Sequence, residues 1–235
     1  MTGITDHLAE IRARMAEGAS TVASAVANVT LVAVSKGHPR AAVESGLAAG
    51  LRDFGENYLQ EALPKMAPGR RDAVWHFIGW IQSNKTREIA VNFDWAQTVT
   101  SARIAERLSA WRPQHGEPLQ VCIQLKPRAL PPADLGQAGP GRGGCPGADV
   151  PALADLIDRL PRLRLRGLML LPRSGLAADA LRAEFRAART LFDELIAGGH
   201  VLDTLSMGMS DDLEMAIEEG STMIRVGTAL FGERP

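Results

Sequence analysis

Lys36 closes the apolar run Leu31-Val32-Ala33-Val34-Ser35, so a strand built from that run presents an amine at its C-terminal tip. An amine in that place can condense with a bound aldehyde once burial or neighbouring positive charge favours its neutral form. Near the other end of the chain lie Ser206-Met207-Gly208-Met209-Ser210 and Arg225-Val226-Gly227-Thr228, short glycine- and hydroxyl-bearing turns that follow apolar runs. A turn that enters a helix gathers unpaired N–H donors and partial positive charge, which suits a phosphate dianion. An amine together with a phosphate cradle points to pyridoxal 5'-phosphate. Plainer readings stand beside these: Lys36 as a solvated strand-end lysine, Arg225 as half of a buried ion pair, and Ser210 as the N-cap of an acidic first turn, Asp211-Asp212-Leu213-Glu214.

Other candidates read as structural. Asn57, in Gly55-Glu56-Asn57-Tyr58, stands where a strand ends and a helix begins, as an N-cap would. His76 alternates with Trp75 and Phe77, which suits a hydrogen-bonded core histidine, and Asp94 and Gln97 flank a strand with nothing to separate function from packing. The arginines of Arg162-Leu163-Arg164-Leu165-Arg166 alternate with leucines, as on a solvated approach to a strand. Gly139, Gly141 and Gly144 satisfy a G-x-G-x-x-G spacing, but Pro140 and Pro146 flank it and no strand leads directly into it, so it reads as loop composition.

These residues need a frame that brings both ends of the chain together. Short apolar runs recur at 30–35, 51–54, 74–78, 95–99, 119–125, 165–171, 202–206 and 222–226, with helical stretches at 40–49, 57–66, 82–92, 101–111, 150–160, 178–197 and 211–219. Strands that alternate with helices form a parallel sheet, because parallel neighbours need crossover connections. Eight such units in this length predict a (β/α)8 TIM barrel, an α/β fold, over an open doubly wound sheet, whose glycine-rich first turn is missing from Ser35-Lys36-Gly37-His38-Pro39. The barrel also explains the cradle, since barrels often bind phosphate with the loops after strands seven and eight. Ile4, Leu8, Ile11, Met15, Ala19, Val22 and Val26 form an apolar stripe, predicting a long N-terminal helix within residues 1–29 that packs on the barrel. Residues 126–151, rich in Gly and Pro and without periodicity, read as a loop excursion within one domain spanning 1–235.

Composition removes several function classes. The chain of 235 residues is 46% hydrophobic and 23% charged, as expected of a folded globular protein. A net charge of −1, with no basic cluster interleaved with aromatics, argues against nucleic acid as a partner. No apolar run reaches the ~20 residues that span a bilayer, and the mixed charges of residues 1–17 exclude a signal-peptide core. Cys122 and Cys145 fit neither a metal spacing nor a disulfide framework. Together these features predict a cytoplasmic protein with no membrane or metal partner.

The motifs, taken in order, resemble the YggS/PROSC family of pyridoxal phosphate homeostasis proteins, whose fold is like the barrel domain of alanine racemase standing alone. The matching stretches are Ala33–Lys36, Phe54–Tyr58, Trp75–Gly79, Gln82–Lys85, Leu165–Met169, Leu205–Asp212 and Gly220–Thr228. The resemblance implies that Lys36 carries pyridoxal 5'-phosphate as a Schiff base. It implies that Ser206, Gly227 and Thr228 hold the phosphate, that Arg225 bonds the pyridine nitrogen, and that Asn57 and Met209 lie close to the ring. An always-charged arginine leaves that nitrogen unprotonated and the ring a weak electron sink. The only tyrosine is Tyr58, so no C-terminal tyrosine supplies the second base that racemisation needs. The resemblance therefore implies a monomeric, non-catalytic carrier that buffers the cofactor and delivers it to pyridoxal-dependent apoenzymes. The alternatives are a single-domain amino-acid racemase of weak activity, an aldolase acting on sugar phosphates, and an interaction protein whose cofactor is structural. Two departures from the family pattern fall on loops at the cofactor mouth: Trp80 in place of proline, and Lys126-Pro127-Arg128 with the excursion that follows.

Overall fold

Every apolar run becomes a parallel strand, and the first run pairs with the last. The structure, a computed structural model, describes residues 3–20, 29–66, 72–127 and 143–234. Its strands are β1 (Thr30–Val34), β2 (Asp53–Glu56), β3 (Val74–Phe77), β4 (Trp95–Val99), β5 (Leu119–Leu125), β6 (Leu163–Leu170), β7 (Thr204–Ser206) and β8 (Met223–Val226). They close in sequence order, and β1 meets β8 through the pairs Thr30↔Met223, Leu31↔Ile224, Val32↔Arg225 and Ala33↔Val226. This is the (β/α)8 TIM barrel. Closure leaves no free sheet edge, and it brings Lys36, just beyond β1, beside the turn that follows β8.

Around the sheet run α2 (Arg40–Ala48), α3 (Leu59–Ala62), α4 (Thr86–Asn92), α5 (Ala102–Trp111), α6 (Val150–Asp158), α7 (Ala178–Ala197), α8 (Leu213–Glu218) and α9 (Thr228–Phe231), preceded by α1 (Ile4–Ser20). One apolar layer, including Phe54, Leu108, Ile157 and Phe185, fills the space between strands and helices. A second, smaller set, Val32, Trp95, Cys122, Met169 and Met223, fills the barrel interior. Period-two alternation along each strand divides side chains between the two layers. α1 buries Leu8 and Ile11 and packs on α8 and α9, and its Arg14 pairs with Glu214 and donates to the Ser210 carbonyl. Val22 and Val26, expected on the same stripe, lie outside the described residues, as does 128–142 of the excursion with Gly139 and Gly141. None of the described helices is long and apolar enough to cross a membrane.

Three local expectations shift. β2 starts two residues later than its apolar run, because Leu51 N donates to Gly46 O and so completes the turn after α2. The helix expected over 57–66 contracts to α3 with Tyr58 at its N-cap, so Asn57 caps nothing. Of the alternating arginines only Arg164 is solvated: Arg162 donates to Ser109 O, while Arg166 pairs with Asp203, donates to Gln120 and stacks over Trp95. Leucine alternation gives the strand but cannot show which arginines find partners.

Candidate functional site

A cavity of about 720 Å³ opens at the C-terminal end of the barrel. Lys36 and Arg225 reach it through strand alternation. Val32 and Val34 point into the barrel, so Lys36 does as well, whereas Ala33 and Ser35 face the helices. On β8, Met223 and Arg225 point inward by the same rule. Lys36, Asn57, Met209, Arg225, Gly227 and Thr228 all line this cavity, although strands on opposite sides of the closure seam deliver them.

Ser206 is the exception. Expected to hold a phosphate, it is fully buried at the end of β7, beneath the cavity rather than in its wall. Its hydroxyl donates to Gln97 Oε1 at 2.7 Å and accepts from Arg225 Nη1 at 2.7 Å. The lining serine of that turn is Ser210, four residues on. It does not cap α8, whose N-cap is Asp212, so the plain N-cap reading of Ser210 does not hold. The Asp212 carboxylate accepts instead from Met209 N, and burial raises its pKa. Gly208 makes the turn possible. Its φ of +97° suits glycine alone, and an added Cβ would stand 2.6 Å from the Ala216 Cβ. Gly208 O accepts from Arg225 N at 3.0 Å, which ties this turn to the β8 strand.

The guanidinium of Arg225 is held from two sides, with Nη2 donating to Leu170 O at 2.9 Å. Two residues on, Gly227 leads into α9, whose first turn offers N–H donors without intrahelical partners. On the opposite wall, Asn57 lines the cavity, and its Oδ1 is buried with no hydrogen-bond partner among the described residues. An amine, a fixed guanidinium and a helix-entry turn with a hydroxyl around one cavity suit a planar phosphorylated aldehyde. The residues present fit that group.

Sequence reasoning missed what stands behind Lys36. Glu56 ends β2 facing outward and fully buried; it accepts from Ser35 Oγ at 2.6 Å and from Lys65 Nζ at 2.7 Å. Lys65 Nζ also donates to Ser35 O at 2.8 Å, the carbonyl of the peptide that leads into Lys36. Glu61 Oε2 then accepts from Gly37 N at 2.8 Å. The backbone on both sides of Lys36 is therefore clamped from the helix layer. Burial raises the Glu56 pKa, and the Lys65 and Ser35 hydrogen bonds pull it back. Position 56 in a strand could have been assigned to the outer face, but nothing in the sequence pairs it with Lys65.

The two family departures meet at the cavity mouth. Trp80, after β3, is 58% exposed and lines the cavity, and its ring lies so close to Gly143 that a Cβ there would stand 2.2 Å from it. Gly143 O accepts from Gln124 Nε2, and Cys145 pairs with the end of β5, which anchors the returning end of the excursion to the barrel. Both cysteines are buried, and burial raises their thiols to about 12 for Cys122 and about 11 for Cys145. Neither is poised as a thiolate.

Comparison with known proteins agrees with this fold. The family model of the alanine racemase N-terminal domain matches residues 7–235. A pyridoxal phosphate homeostasis protein of Pseudomonas aeruginosa is 50% identical, covering 100% of this chain and 97% of the relative, and one of Escherichia coli is 40% identical over 100% and 98%. The structure of PipY of Synechococcus elongatus with PLP bound superposes with a TM-score of 0.81 at 38% identity, covering 97% of this chain and 100% of that one. Alanine racemase of Clostridium difficile shares the fold, with a TM-score of 0.70 at 13% identity over 97% of this chain and 58% of its own.

Proposed function

Since the chain belongs to the alanine racemase N-terminal domain family, and aligns end to end with pyridoxal phosphate homeostasis proteins, we propose that it holds pyridoxal 5'-phosphate on Lys36 and serves in homeostasis of that cofactor. The observation that carries the reading is the convergence of Lys36, Arg225, Gly227 and Thr228 on one cavity in a fold whose relative PipY was solved with PLP bound. The Lys36 amine, in its neutral form, would hold the aldehyde carbon through a covalent link that water or another amine could reverse. Thr228 and the first turn of α9 receive the phosphate, with Ser210 beside them in place of Ser206. Arg225 donates to the pyridine nitrogen and keeps it unprotonated, since a guanidinium has no acceptor and gives up no proton. Asn57 and Met209, which line the same cavity, would lie close to the ring. The whole chain, 1–235, acts as one cofactor-binding unit, a cytoplasmic monomer that passes its load to apoenzymes without turning over a substrate.

The test is the absorption spectrum of the purified protein before and after borohydride, with peptide mapping of the adduct. A phosphopyridoxyl group on Lys36 is expected. A protein that stays colourless and unmodified in excess cofactor sinks the reading and moves the sugar-phosphate aldolase to the front. Amino acids incubated with the loaded protein in deuterated water should gain no α-deuterium above background; efficient exchange would favour the racemase alternative.

Trp80 shields the mouth, so Trp80→Ala should speed cofactor release severalfold with little change in melting temperature. Transfer to an excess of a pyridoxal-binding apoenzyme, followed by absorbance, measures this. Release at the wild-type rate would show that the ring does not gate exchange.

A further inference from the structure

One set of polar groups in the barrel interior remains unused by that reading. Asp53, His76 and Gln97 continue inward from Ser206 and Arg225 as a single hydrogen-bonded chain. Gln97 Nε2 lies 2.9 Å from His76 Nδ1, and His76 Nε2 lies 2.9 Å from Asp53 Oδ1. His76, Gln97 and Ser206 are fully buried, while Asp53 stands at the start of β2 with its side chain 28% exposed. The chain therefore runs from the far mouth of the barrel to the cavity wall. The His76 ring is also stacked on Trp95, with centroids 5.2 Å apart.

Donor accounting gives the chain one direction. Arg225 can only donate, so Ser206 Oγ accepts from it and turns its own proton to Gln97 Oε1. That places the Gln97 amide nitrogen toward His76 Nδ1, with Met223 Sδ as a second contact at 3.1 Å. Nδ1 is then the acceptor, and the proton on Nε2 faces the Asp53 carboxylate. The reversed amide would aim two donors at the Ser206 oxygen and leave its proton without Gln97 Oε1. Each link thus fixes the next, and bonds aligned head to tail polarise one another in a dry interior.

We propose that His76 and Gln97 are positioning residues for the cofactor ring: through Ser206 they set the orientation of the Arg225 guanidinium that meets the pyridine nitrogen. The inference rests on the proposed placement of pyridoxal 5'-phosphate. The chain would otherwise be interior packing, and a structural role alone would not alter the electronic state of a bound ring.

The test is titration of wild type, Gln97→Met, Ser206→Ala and the double variant with pyridoxal 5'-phosphate, reading affinity and the position of the long-wavelength band. Each single variant should weaken binding by about tenfold, the scale of one hydrogen bond to a charged group, and shift the band. The double variant should lose little more than the weaker-binding single one, because both substitutions break the same path. Losses that multiply, or variants that keep the wild-type band and affinity, overturn the inference. Where Gln97→Met does not fold, Asp53→Ala at the partly exposed end replaces it under the same criteria. A wild-type protein without the band overturns the cofactor reading itself, whereas a wild-type band with unshifted variants overturns this inference alone.

Discussion

Replacing Lys36 with alanine should leave a folded protein in which borohydride fixes no cofactor to the chain. The expected loss is complete, because no other lysine is placed to substitute. Lys65 comes close in the chain's fold, but it lies in the helix layer and is committed to Glu56 and to Ser35 O. Arg225, Thr228 and the first turn of α9 remain, so the variant should still bind pyridoxal 5'-phosphate, without the covalent contribution and with the spectrum of a free aldehyde. The melting temperature in the absence of cofactor should hardly move, since the amine faces a cavity rather than the core. Mass analysis of the reduced protein decides the matter. A phosphopyridoxyl group retained on the alanine variant and mapped to another lysine would remove Lys36 from its assigned role.

The second large effect lies behind that lysine. Lys65→Met leaves the Glu56 carboxylate buried without its cation, and breaking a buried pair from one side costs about 3–5 kcal/mol. For a chain of this size that corresponds to a fall in melting temperature of roughly 10 °C. The pH dependence gives the loss a signature. Folded Glu56 already holds its proton to higher pH than an unfolded glutamate because of burial, so its contribution declines as pH rises from the ordinary value of 4.5 toward the raised one. Removing Lys65 deletes the interactions that restrain this shift and extends the declining window upward. The deficit of Lys65→Met should therefore be largest near neutral pH and shrink as pH falls toward the ordinary glutamate value of 4.5, as the carboxyl takes up a proton. Adding Glu56→Gln should recover much of the loss. Melting curves across that pH range test the prediction, and a deficit independent of pH would show that lost packing, not a stranded charge, is responsible. Because Lys65 also holds Ser35 O, the single variant should react more slowly with the aldehyde even where it is folded.

The sequence made the barrel legible for a physical reason: a buried parallel strand is a short apolar run, and eight of them separated by amphipathic stretches leave few topologies. β4, β5 and α7 fall where period and composition place them. That Lys36, Arg225, Gly227 and Thr228 would line one cavity was legible because strand ends and helix-entry turns are local features. Ser206 was not. Its role depends on whether β7 ends at the cavity floor or at its rim, and the left-handed turn at Gly208 hands the rim to Ser210. Asn57 resembled an N-cap until α3 began two residues later and left the residue in the cavity wall. Gln97 and Glu56 could not be assigned from the sequence at all, since each takes its meaning from partners on other strands or helices that no spacing rule connects.

The seam between β1 and β8 also sets the order in which the cavity is assembled. Lys36 follows the first strand made during synthesis, whereas Arg225 and the helix-entry turn belong to the last βα unit. A growing polypeptide exposes Lys36 long before Arg225 leaves the ribosome, so the cavity wall between them forms only when the final strand zips onto the first. Any ligand held across that seam would favour the closed ring over an opened form by mass action.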